Sequence, residues 1–416
     1  MRASHRIVIA VAVFLILGGA AFAAYWYQTR TAVPRPSSAD VTVNVTQEGD
    51  RGPGSLREAL FIAAAANSKA TVAIDVPKIA LDSALPPLVN AHGMSIIGPQ
   101  GGTQIDAHAL GGGAVFDVAG PNIVIRAIAV HNCPGAGILL RATHFRLEGS
   151  TVEGCDVGVD VAENAGDILI ENNRFTKNRL GMRFAASSRN AAVVKNDFSG
   201  DKDAAIWAVR SAPDLRDPAI SVRDNRFTQE PIAVLAGNIA MLVERNEFRD
   251  STNAAVQLIG AGAVVRGNRI SGGAAMGIVA ENAHGAIIDN NELDHLAAYG
   301  IMVKGSSNTL VRGNRLHNCG YGMAFVLGDA ANPSTGVENT IIEPKYNGID
   351  IIGDSPILRR NHVLRPRVKS LSVADFAAPD GRKIPAKPFL DNNAFESSAA
   401  TVAAGTPAAA QAATPR

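Results

Sequence analysis

The sequence is poor in aromatic residues, in cysteine and in net charge. Only 5% of its 416 residues are Phe, Trp or Tyr, three are cysteine, and 39 Lys and Arg against 38 Asp and Glu leave a net charge of +1. Three cysteines are too few for a disulfide scaffold. The near-zero charge argues against a nucleic-acid partner, which requires a basic excess. Because 47% of the residues are hydrophobic, a chain disordered throughout is excluded as well.

Several catalytic signatures are also missing. The sequence contains no P-loop, dinucleotide fingerprint, H-E-x-x-H or G-x-S-x-G, so nucleotide, zinc-protease and serine-hydrolase functions lack support. We expect no metal site and no cofactor.

Glycine, in contrast, is abundant, with 40 residues. At about 150 residues per domain the length allows two or three domains or one elongated domain, and many glycines with few aromatic side chains indicate a core of small, repeated layers.

The N-terminal segment contains a long apolar run. Arg2 and Arg6 precede the run, which extends over 21 residues from Ile7 to Tyr27 and is long enough for a helix across about 30 Å of hydrocarbon. The A-F-A sequence at 21–23 fits a signal-peptide cleavage site, whereas the Y-W-Y cluster at 25–27 is typical of a retained anchor. We favour retention. In either case the body is exported, and we expect a periplasmic protein anchored to the inner membrane by residues 1–30.

A repeat of about 23 residues occupies the middle of the chain. Seven segments share the pattern V-x-x-N-x-F, and their last apolar residues lie 21 to 29 residues apart. These landmark residues are Phe175, Phe198, Phe227, Phe248, Ile270, Leu293 and Leu316. The register continues back to Ile105 and forward to Val363, which gives twelve coils. Since each period has room for short strands but not for a full helix, the sequence predicts an all-β fold, a single-stranded right-handed parallel β-helix of about twelve coils.

The positions within the repeat have predicted structural roles. Five residues before each landmark stands an Ile or Val that forms a core stripe. Six or seven residues after it, a small residue such as Gly181 or Gly300 precedes an apolar one, and we expect glycine there to allow a positive-φ bend. Two residues before each landmark stands an asparagine that can hydrogen-bond along the stack and tolerate left-handed geometry. This column consists of Asn173, Asn196, Asn225, Asn246, Asn268, Asn291, Asn314, Asn339 and Asn361.

The regions that flank the repeat differ from it in composition. Ser55 and Glu58 match a capping box that opens an Ala-rich helix to about Ala66, and we place this helix across the N-terminal mouth because exposed sheet edges need covers. We divide the chain into an anchor or signal peptide (1–30), a linker (31–40), an N-terminal cap (41–69), the parallel β-helix (70–365), a C-terminal cap (366–396) and a disordered Ala/Pro/Thr-rich tail (397–416).

The segment SIIGPQGGTQIDA and the stacked N-x-F and G-I elements resemble the parallel β-helix repeat superfamily over residues 70–365. That superfamily includes carbohydrate-binding and sugar-hydrolase domains, periplasmic copper-site maturation proteins and mannuronan C-5 epimerases, so the resemblance implies a fold more closely than a function. The epimerases carry a Y-G-I-D-P-H-D type element at their catalytic centre. This chain reads Y-G-I-M-V-K-G from Tyr299 to Gly305, so only Tyr299 carries over and the catalytic histidine and aspartates of that element do not.

A first candidate site lies in coils nine to eleven. Asp294 and His317 occupy the same position on adjacent coils, and Tyr299 and Tyr321 stack just before their glycines. A histidine, a tyrosine and a lysine in one groove can supply the base, the acid and the carboxylate neutraliser for elimination or C-5 epimerisation of a uronate. The alternative is that these side chains decorate a solvated turn. The candidate catalytic residues are His295, Tyr299, Lys304, His317 and Tyr321, and the candidate substrate ligands here are Asp294 and Asn347.

A second candidate site is an outward column that reads Asp160, Arg183, Trp207, Ala233 and Gln257. A tryptophan beside an arginine and an aspartate is typical of a sugar-binding platform, because the flat indole accepts the apolar face of a pyranose. Asp160, Arg183 and Trp207 are therefore further candidate substrate ligands. The alternative is that Trp207 packs under the loop 211–218, which would explain the 29-residue spacing of that coil.

The charged columns and two of the cysteines have structural interpretations. Arg and acidic residues alternate from coil to coil, as in Arg269, Glu292 and Arg315. We interpret the alternation as a ladder of surface ion pairs rather than a sugar-binding strip, because a substrate site needs unpaired charge. Cys133 and Cys155 fall on adjacent coils within reach of a disulfide in an oxidising compartment; we favour buried free thiols.

These features predict an exported β-helix protein that binds or processes a polysaccharide. An acidic polymer is the preferred substrate class, and epimerase or lyase chemistry is expected if the protein is an enzyme. The alternative is a non-catalytic scaffold or accessory protein in envelope polysaccharide assembly or periplasmic metalloenzyme maturation. We expect a monomer whose partners are a polysaccharide and the inner membrane, with no nucleic acid.

Overall fold

The computed structural model describes residues 39–185, 187–214, 220–273 and 276–398, with side chains for all of these except 211–214 and 261. The predicted anchor (1–30), most of the linker and the tail from residue 399 onward lie outside the described residues. Within the described ranges, no helix combines the length and the apolar character that a membrane span requires.

Three parallel sheets, here named A, B and C, form a right-handed β-helix of about 13 turns. From the second strand of sheet A onward, each turn of the chain contributes a strand to sheet A and then one to sheet B. From the third to the fourteenth strand of sheet A, the turn also adds a strand to sheet C before the chain returns to sheet A on the next coil. Every strand therefore pairs with the equivalent strand of the coils before and after it. The predicted fold class is confirmed, with one coil more than expected.

The strand bounds follow the repeat. Sheet A consists of Val41–Val45, Ala70–Ile74, Met94–Ile97, Ile123–Arg126, Thr143–Glu148, Gly166–Glu171, Arg189–Val194, Ile220–Arg223, Met241–Glu244, Val264–Arg266, Ile287–Asp289, Leu310–Arg312, Thr335–Val337, Ile357–Arg359 and Phe389–Asp391. Sheet B consists of Lys78–Ala80, Thr103–Asp106, Ile128–His131, Thr151–Glu153, Arg174–Thr176, Asp197–Ser199, Arg226–Thr228, Glu247–Arg249, Arg269–Ser271, Glu292–Asp294, Arg315–His317, Thr340–Ile342, His362–Leu364 and Ala394–Phe395. Sheet C consists of Ala114–Val118, Ala136–Leu140, Val157–Val161, Leu180–Phe184, Ala204–Asp214, Ile232–Ile239, Ala254–Ala261, Met276–His284, Tyr299–Lys304, Tyr321–Val326, Asn347–Ile352 and Lys369–Ala374.

The core consists of inward side chains stacked one per coil. The landmark phenylalanines from Phe175 to Phe248 stack with ring centroids 4.8–4.9 Å apart, which is the spacing of hydrogen-bonded strands. The predicted Ile and Val stripe is fully buried, as Ile170 and Val222 illustrate. Because equivalent residues repeat at the strand spacing, each position in the interior is filled by a column of similar apolar side chains, one per coil.

The asparagine column forms the hydrogen-bonded ladder that the sequence predicts. From Asn196 onward, each Oδ1 accepts from both the backbone N–H and the Nδ2 of the asparagine on the preceding coil at 2.8–3.1 Å, and Asn393 extends the ladder beyond Asn361. The left-handed residue is not the ladder asparagine but the residue before it, for example Arg245 at φ 53° and Asn290 at φ 52°. The ladder thus satisfies buried backbone groups at a sharp corner.

The glycines that begin the sheet C strands have a different role from the one predicted. The positive-φ residues of the described chain include none of these glycines, which are Gly137, Gly158, Gly181, Gly277, Gly300, Gly322 and Gly348. A Cβ added at Gly181 would lie 2.6 Å from the carbonyl oxygen of Ala205 on the next coil. Glycine is required there because adjacent coils approach too closely for a side chain, so the predicted positive-φ bend was wrong.

A helix and a terminal coil occupy the two ends of the described β-helix. Ser55 caps the helix Leu56–Ala65, with Ser55 Oγ accepting from the Glu58 N–H at 3.2 Å, while the carboxylate of Glu58 accepts from the Gly54 N–H. Leu56, Leu60 and Ala63 of this helix belong to the buried core. Residues 366–396, expected as a cap, instead add a strand to each sheet and an antiparallel hairpin of Phe376–Ala377 and Lys383–Ile384, which accounts for the additional coil.

The cysteines differ from expectation. Cys133 and Cys155 form a disulfide with their Cα atoms 4.3 Å apart, so the preference for free thiols at this pair was wrong. The cause is the register: equivalent positions on adjacent coils place the two side chains against each other. Cys319 is a free, buried thiol.

Candidate functional site

The predicted site residues lie on two sheets that meet at the turn 295–298, which we name the B–C turn. Asp294 and His317 end strands of sheet B, and Tyr299 and Tyr321 begin strands of sheet C just beyond the turn. Lys304 ends the strand that Tyr299 begins, five residues and about 16 Å further along. The structure therefore places the histidines and tyrosines at one corner of the coils, whereas Lys304 lies at the opposite end of its strand in sheet C.

Asp294 links the two histidines of this corner. Its Oδ1 lies 2.7 Å from Nδ1 of His317 and 2.8 Å from Nδ1 of His295. His295 has φ 56°, and this left-handed conformation turns the chain out of sheet B beside Asp294. Partial burial opposes ionisation of Asp294, but hydrogen bonds from His295 and His317 outweigh it and hold the pKa of the carboxyl below its usual range. The three side chains could together hold a metal ion, since their ligand atoms all lie within 4.8 Å of one another.

Glu343 belongs to the same corner and was missed from the sequence. Its Oε2 lies 3.7 Å from Nε2 of His317, and its Oε1 lies 2.9 Å from Nε of Arg365. A signal was present, because Glu343 follows its landmark Ile341 by two residues, as His295 follows Leu293. Both are left-handed turn residues, with Glu343 at φ 52°.

A ladder of three tyrosines lies on the sheet C side of the B–C turn. The rings of Tyr299 and Tyr321 stack with centroids 4.5 Å apart, and those of Tyr321 and Tyr346 with centroids 4.8 Å apart. Tyr346, which is half exposed, was missed because it stands one residue earlier relative to its glycine than the other two tyrosines do. The ladder leaves the outermost ring, Tyr346, as the one most accessible to solvent.

A buried carboxyl group lies beneath this ladder. The Tyr299 hydroxyl donates to Oδ2 of Asp350 at 3.2 Å, and Nδ2 of Asn347 donates to its Oδ1 at 2.8 Å. Burial raises the pKa of Asp350. Burial, together with the adjacent Asp350 charge, raises the pKa of Tyr299 to about 12. Tyr299 is therefore a protonated hydrogen-bond donor at neutral pH, and Asn347 positions Asp350 rather than pointing only to solvent.

Trp207 stands in a column along the outer face of sheet C. Strand pairing places Asp160, Arg183 and Trp207 side by side, as predicted, but the next residue is Leu235 rather than Ala233. Ala233 is fully buried. Arg183 donates to both carboxylate oxygens of Asp160, at 2.8 and 2.5 Å, and Trp207 is 37% exposed. The loop 211–218 lies outside the residues with described side chains, so its packing over Trp207 stays a prediction.

The same outer column continues to the tyrosine ladder. After Gln257 it reads Val279, Met302, Ala324 and Asp350. Trp207 and Tyr299 are thus separated by four coil spacings, about 19 Å along the stack, on one face of one sheet. Two cations of this face are paired, Arg183 with Asp160 and Lys304 with Glu281 at 2.8 Å. Trp207, Met302 and the tyrosine rings are at least partly exposed, whereas Leu235, Val279 and Ala324 are buried.

The predicted charge ladders are confirmed away from this face. Arg226 and Glu247 lie 3.4 Å apart, and Arg269 and Glu292 lie 3.0 Å apart, across neighbouring coils of sheet B. At the end of the sheet A strands, Arg266 and Glu244 lie 2.7 Å apart. Exposed pairs of this kind contribute about 0–1 kcal/mol each, so their main effect is to favour one register of the coils.

Comparison with known proteins identifies the fold. The chain is similar to the catalytic unit of the thermostable GH87 α-1,3-glucanase from Streptomyces thermodiastaticus, with 13% identity, a TM-score of 0.53, and 87% of this chain and 69% of that chain covered. It is similar to a tailspike protein of E. coli bacteriophage HK620 in complex with a hexasaccharide, with 13% identity, a TM-score of 0.52, and 85% and 78% covered. At such identities the similarity establishes the fold alone.

A weaker similarity connects the chain with the epimerases. The A-module of the Azotobacter vinelandii mannuronan C-5 epimerase AlgE4 shares 13% identity over 83% of this chain and 96% of that one, with a TM-score of 0.39 that supports no shared site. No curated protein matches the sequence. The family model of the right-handed β-helix region matches residues 93–227 and 215–363, well over half of the chain, and so confirms the resemblance that the repeat implies. The chain belongs to the right-handed β-helix family.

Proposed function

We propose that this protein binds an extended polysaccharide along the outer face of sheet C. The observation that carries the proposal is the placement of Trp207, Met302 and the tyrosine ladder on that one face, with Trp207 and the first tyrosine about 19 Å apart along the coil stack. All of these side chains are at least partly exposed, whereas Leu235 and Val279 between them are buried. Aromatic rings bind the apolar faces of sugars, and their polar edges bind hydroxyl groups. A face of this length contacts several consecutive sugar rings.

The similar proteins support a carbohydrate ligand in general terms. One is an α-1,3-glucanase, and the other was solved with a hexasaccharide. Because Arg183 and Lys304 on the sheet C face are already paired with Asp160 and Glu281, we propose that recognition uses sugar rings and hydroxyl groups more than polymer charge. The expectation of an acidic polymer stays a prediction, and so does a periplasmic location with residues 1–30 as an inner-membrane anchor.

The geometry favours binding without turnover over uronate epimerisation or elimination. Those reactions need a base, an acid and a cation at one sugar ring. Lys304 pairs with Glu281 about 16 Å along the strand from Tyr299, and the raised pKa of Tyr299 keeps it from acting as a base at neutral pH. His317 is bound to Asp294 on the sheet B side of the turn. The proposed role is therefore that of a polysaccharide-binding protein of the cell envelope.

A binding assay on the full-length chain tests the proposal. Neutral and acidic oligosaccharides are titrated in parallel, with calorimetry as the readout. We expect Trp207→Ala and Tyr346→Ala each to weaken binding about fivefold to tenfold, the loss of one aromatic contact. Phe61→Ala is the matched control, since Phe61 is a 58% exposed aromatic residue on the N-terminal helix. Absence of binding to every polymer, or an equal loss in Phe61→Ala, would contradict the proposal.

A further inference from the structure

We propose that Asp294, His295 and His317 bind one divalent transition-metal ion at the B–C turn. The inference is independent of polysaccharide binding, because it concerns the sheet B side of the turn and not the outer face of sheet C. It also departs from the expectation, drawn from the sequence, that the protein has no metal site. A local sequence motif such as H-E-x-x-H could not reveal it, because Asp294 and His295 lie on one coil and His317 lies on the next.

The ligand atoms converge on one point. Nδ1 of His317 and Nδ1 of His295 lie 2.7 and 2.8 Å from Oδ1 of Asp294. One ligand atom from each of the three residues lies within 4.8 Å of those from the other two. Metal–ligand bonds of about 2.0–2.2 Å place the ligand atoms of a tetrahedral site roughly 3.4 Å apart. An ion therefore enters with shifts of less than about 1 Å in side chains that are partly exposed. The imidazole planes meet at 78°, so the rings approach the point from different directions.

The backbone holds the three residues in place before any ion binds. Asp294 and His317 are directly paired in adjacent strands of sheet B. The His295 N–H donates to the carbonyl oxygen of His317 at 3.1 Å, which fixes the turn against the next coil. The equivalent left-handed turn positions on other coils carry residues such as Lys177 and Asp250, so this coil is distinguished by its side chains and not by its backbone.

Glu343 completes the arrangement from the next coil. With Nδ1 of His317 on the ion, the remaining ring nitrogen, Nε2, carries the proton and faces Oε2 of Glu343 at 3.7 Å. Metal-binding histidines commonly donate this second N–H to a carboxylate, which fixes the ring orientation and tautomer. Glu343 is itself held by Arg365 at 2.9 Å. The contact between Glu343 and His317 does not involve the three ligand atoms, and it supports the assignment of Nδ1 of His317 to the ion and of Nε2 to the proton.

The donor set indicates the class of ion. Two imidazole nitrogens and one carboxylate oxygen suit zinc, cobalt, nickel or copper better than magnesium or calcium, which prefer oxygen ligands. The side chains of Asp294, His295 and His317 are 47%, 56% and 39% exposed. Three protein ligands on one side leave the remaining coordination positions open to solvent, as in zinc sites that exchange a ligand.

Titration of the full-length chain with Zn²⁺ by calorimetry, and with Co²⁺ by visible absorption, tests the site. We expect one ion per chain and a Co²⁺ spectrum that changes with inner-sphere ligation. Asp294→Asn and His317→Ala each remove a ligand and should weaken binding by at least about tenfold, since even the loss of an outer-shell partner costs 10–100-fold. The second histidine is replaced by asparagine, in His295→Asn, because asparagine tolerates the left-handed conformation of this position. Thermal melting confirms that the variants are folded.

His108→Ala is the matched control. His108 is an exposed histidine whose Nδ1 lies 3.1 Å from Asp106, so it reproduces a single histidine–carboxylate pair without the second histidine. Unchanged zinc binding in His108→Ala, with the loss in the three cluster variants, supports the proposal. No saturable binding at one ion per chain, an equal loss in His108→Ala, or a Co²⁺ spectrum that is the same with and without the cluster overturns it.

Discussion

Replacement of two buried carboxyl groups by amides should stabilise the protein, and the gain should grow with pH. Asp201 and Glu230 occupy equivalent turn positions on neighbouring coils and are 2% and 0% exposed. Oδ1 of Asp201 accepts from the N–H and the Nδ2 of Asn178 at 2.8 and 3.1 Å, and Oε1 of Glu230 accepts from the Asp201 N–H at 3.5 Å. In the described part of the chain, Oδ2 of Asp201 and Oε2 of Glu230 have no partner.

Burial makes both groups weak acids. It raises the pKa of Asp201 to about 7. Burial and, after it, the charge on Asp201 raise the pKa of Glu230 to about 9. The folded state thus holds protons that the unfolded state releases near pH 4. The stability that these protons contribute is complete below about pH 4 and is lost as pH rises from about 4 to the folded pKa, about 7 for Asp201 and about 9 for Glu230. Each pH unit in this interval costs about 1.4 kcal/mol per group, and two units for one group amount to about 3 kcal/mol.

The neighbouring coil shows why an amide suits this position. In Asn178, the Nδ2 that corresponds to the unpartnered oxygen of Asp201 donates to the Val152 carbonyl at 3.2 Å, while its Oδ1 accepts from the Cys155 N–H at 3.0 Å. Asp201→Asn retains Oδ1, which accepts the hydrogen bonds from Asn178, and replaces the unpartnered Oδ2 with an N–H donor. Glu230→Gln likewise keeps an acceptor for the Asp201 N–H and removes the second charge.

Urea unfolding at about pH 5 and about pH 8.5 measures the effect. The native protein should be less stable at the higher pH by about 3 kcal/mol or more, and the midpoints of Asp201→Asn and Glu230→Gln should depend less on pH. Glu163→Gln, at an exposed carboxyl group, is the matched control and should leave the pH dependence unchanged. Identical slopes for the native protein and both buried variants would refute the reasoning, because the pair would then not exchange protons on unfolding.

Three further predictions concern the coils. Asn246→Ala should destabilise the protein by roughly 3 kcal/mol or more in urea unfolding, because Asn225 loses the acceptor of two hydrogen bonds and the Val222 carbonyl loses its donor; exposed Asn253→Ala should have little effect. Gly300→Ala should cost about 1–3 kcal/mol, since its Cβ would collide with Leu316, whereas Gly111→Ala, with open space around it, should be neutral in the same assay; equal midpoints would contradict the packing explanation. Reduction of the disulfide between Cys133 and Cys155, 22 residues apart, should lower stability by about 3 kcal/mol; the Cys319→Ser variant, which keeps the disulfide, should show the same loss on reduction, and an unchanged midpoint on reduction would contradict the prediction.

The core of the fold was predictable because each position of the repeat has the same structural role on every coil. Asparagine at one corner and a branched aliphatic residue in sheet A recur in register, and the structure places both as predicted. The last coil was also readable, since Leu390, Asn393 and Phe395 fit the V-x-x-N-x-F pattern. It was missed because the hairpin Phe376–Ala377 and Lys383–Ile384 stretches the spacing from Val363 to 32 residues.

The candidate site was harder to predict, because it depends on strand lengths that the repeat does not specify. Leu235 rather than Ala233 adjoins Trp207, because Ala233 occupies the small-residue position equivalent to Ala205, two residues before the outward position. Lys304 is near Tyr299 in sequence, but the two residues lie at opposite ends of one extended strand of sheet C. Glu343 and Tyr346 belong to a later coil, so they are near the corner in space but distant from Asp294 and Tyr299 in sequence.

The stacked coils separate the demands of folding from those of binding. Inward positions must match the coils above and below, which restricts them to residues that stack at about 4.8 Å. Outward positions need only tolerate the backbone, so one column of sheet B holds Thr176, Ser199, Ser271, Asp294 and His317 with the same strand pairing. The left-handed turn after sheet B accepts a lysine, an aspartate or a histidine with equal geometry. A ligand site can therefore arise at any coil without disturbance of the core, and its chemistry must be sought in the residues that depart from the column around them.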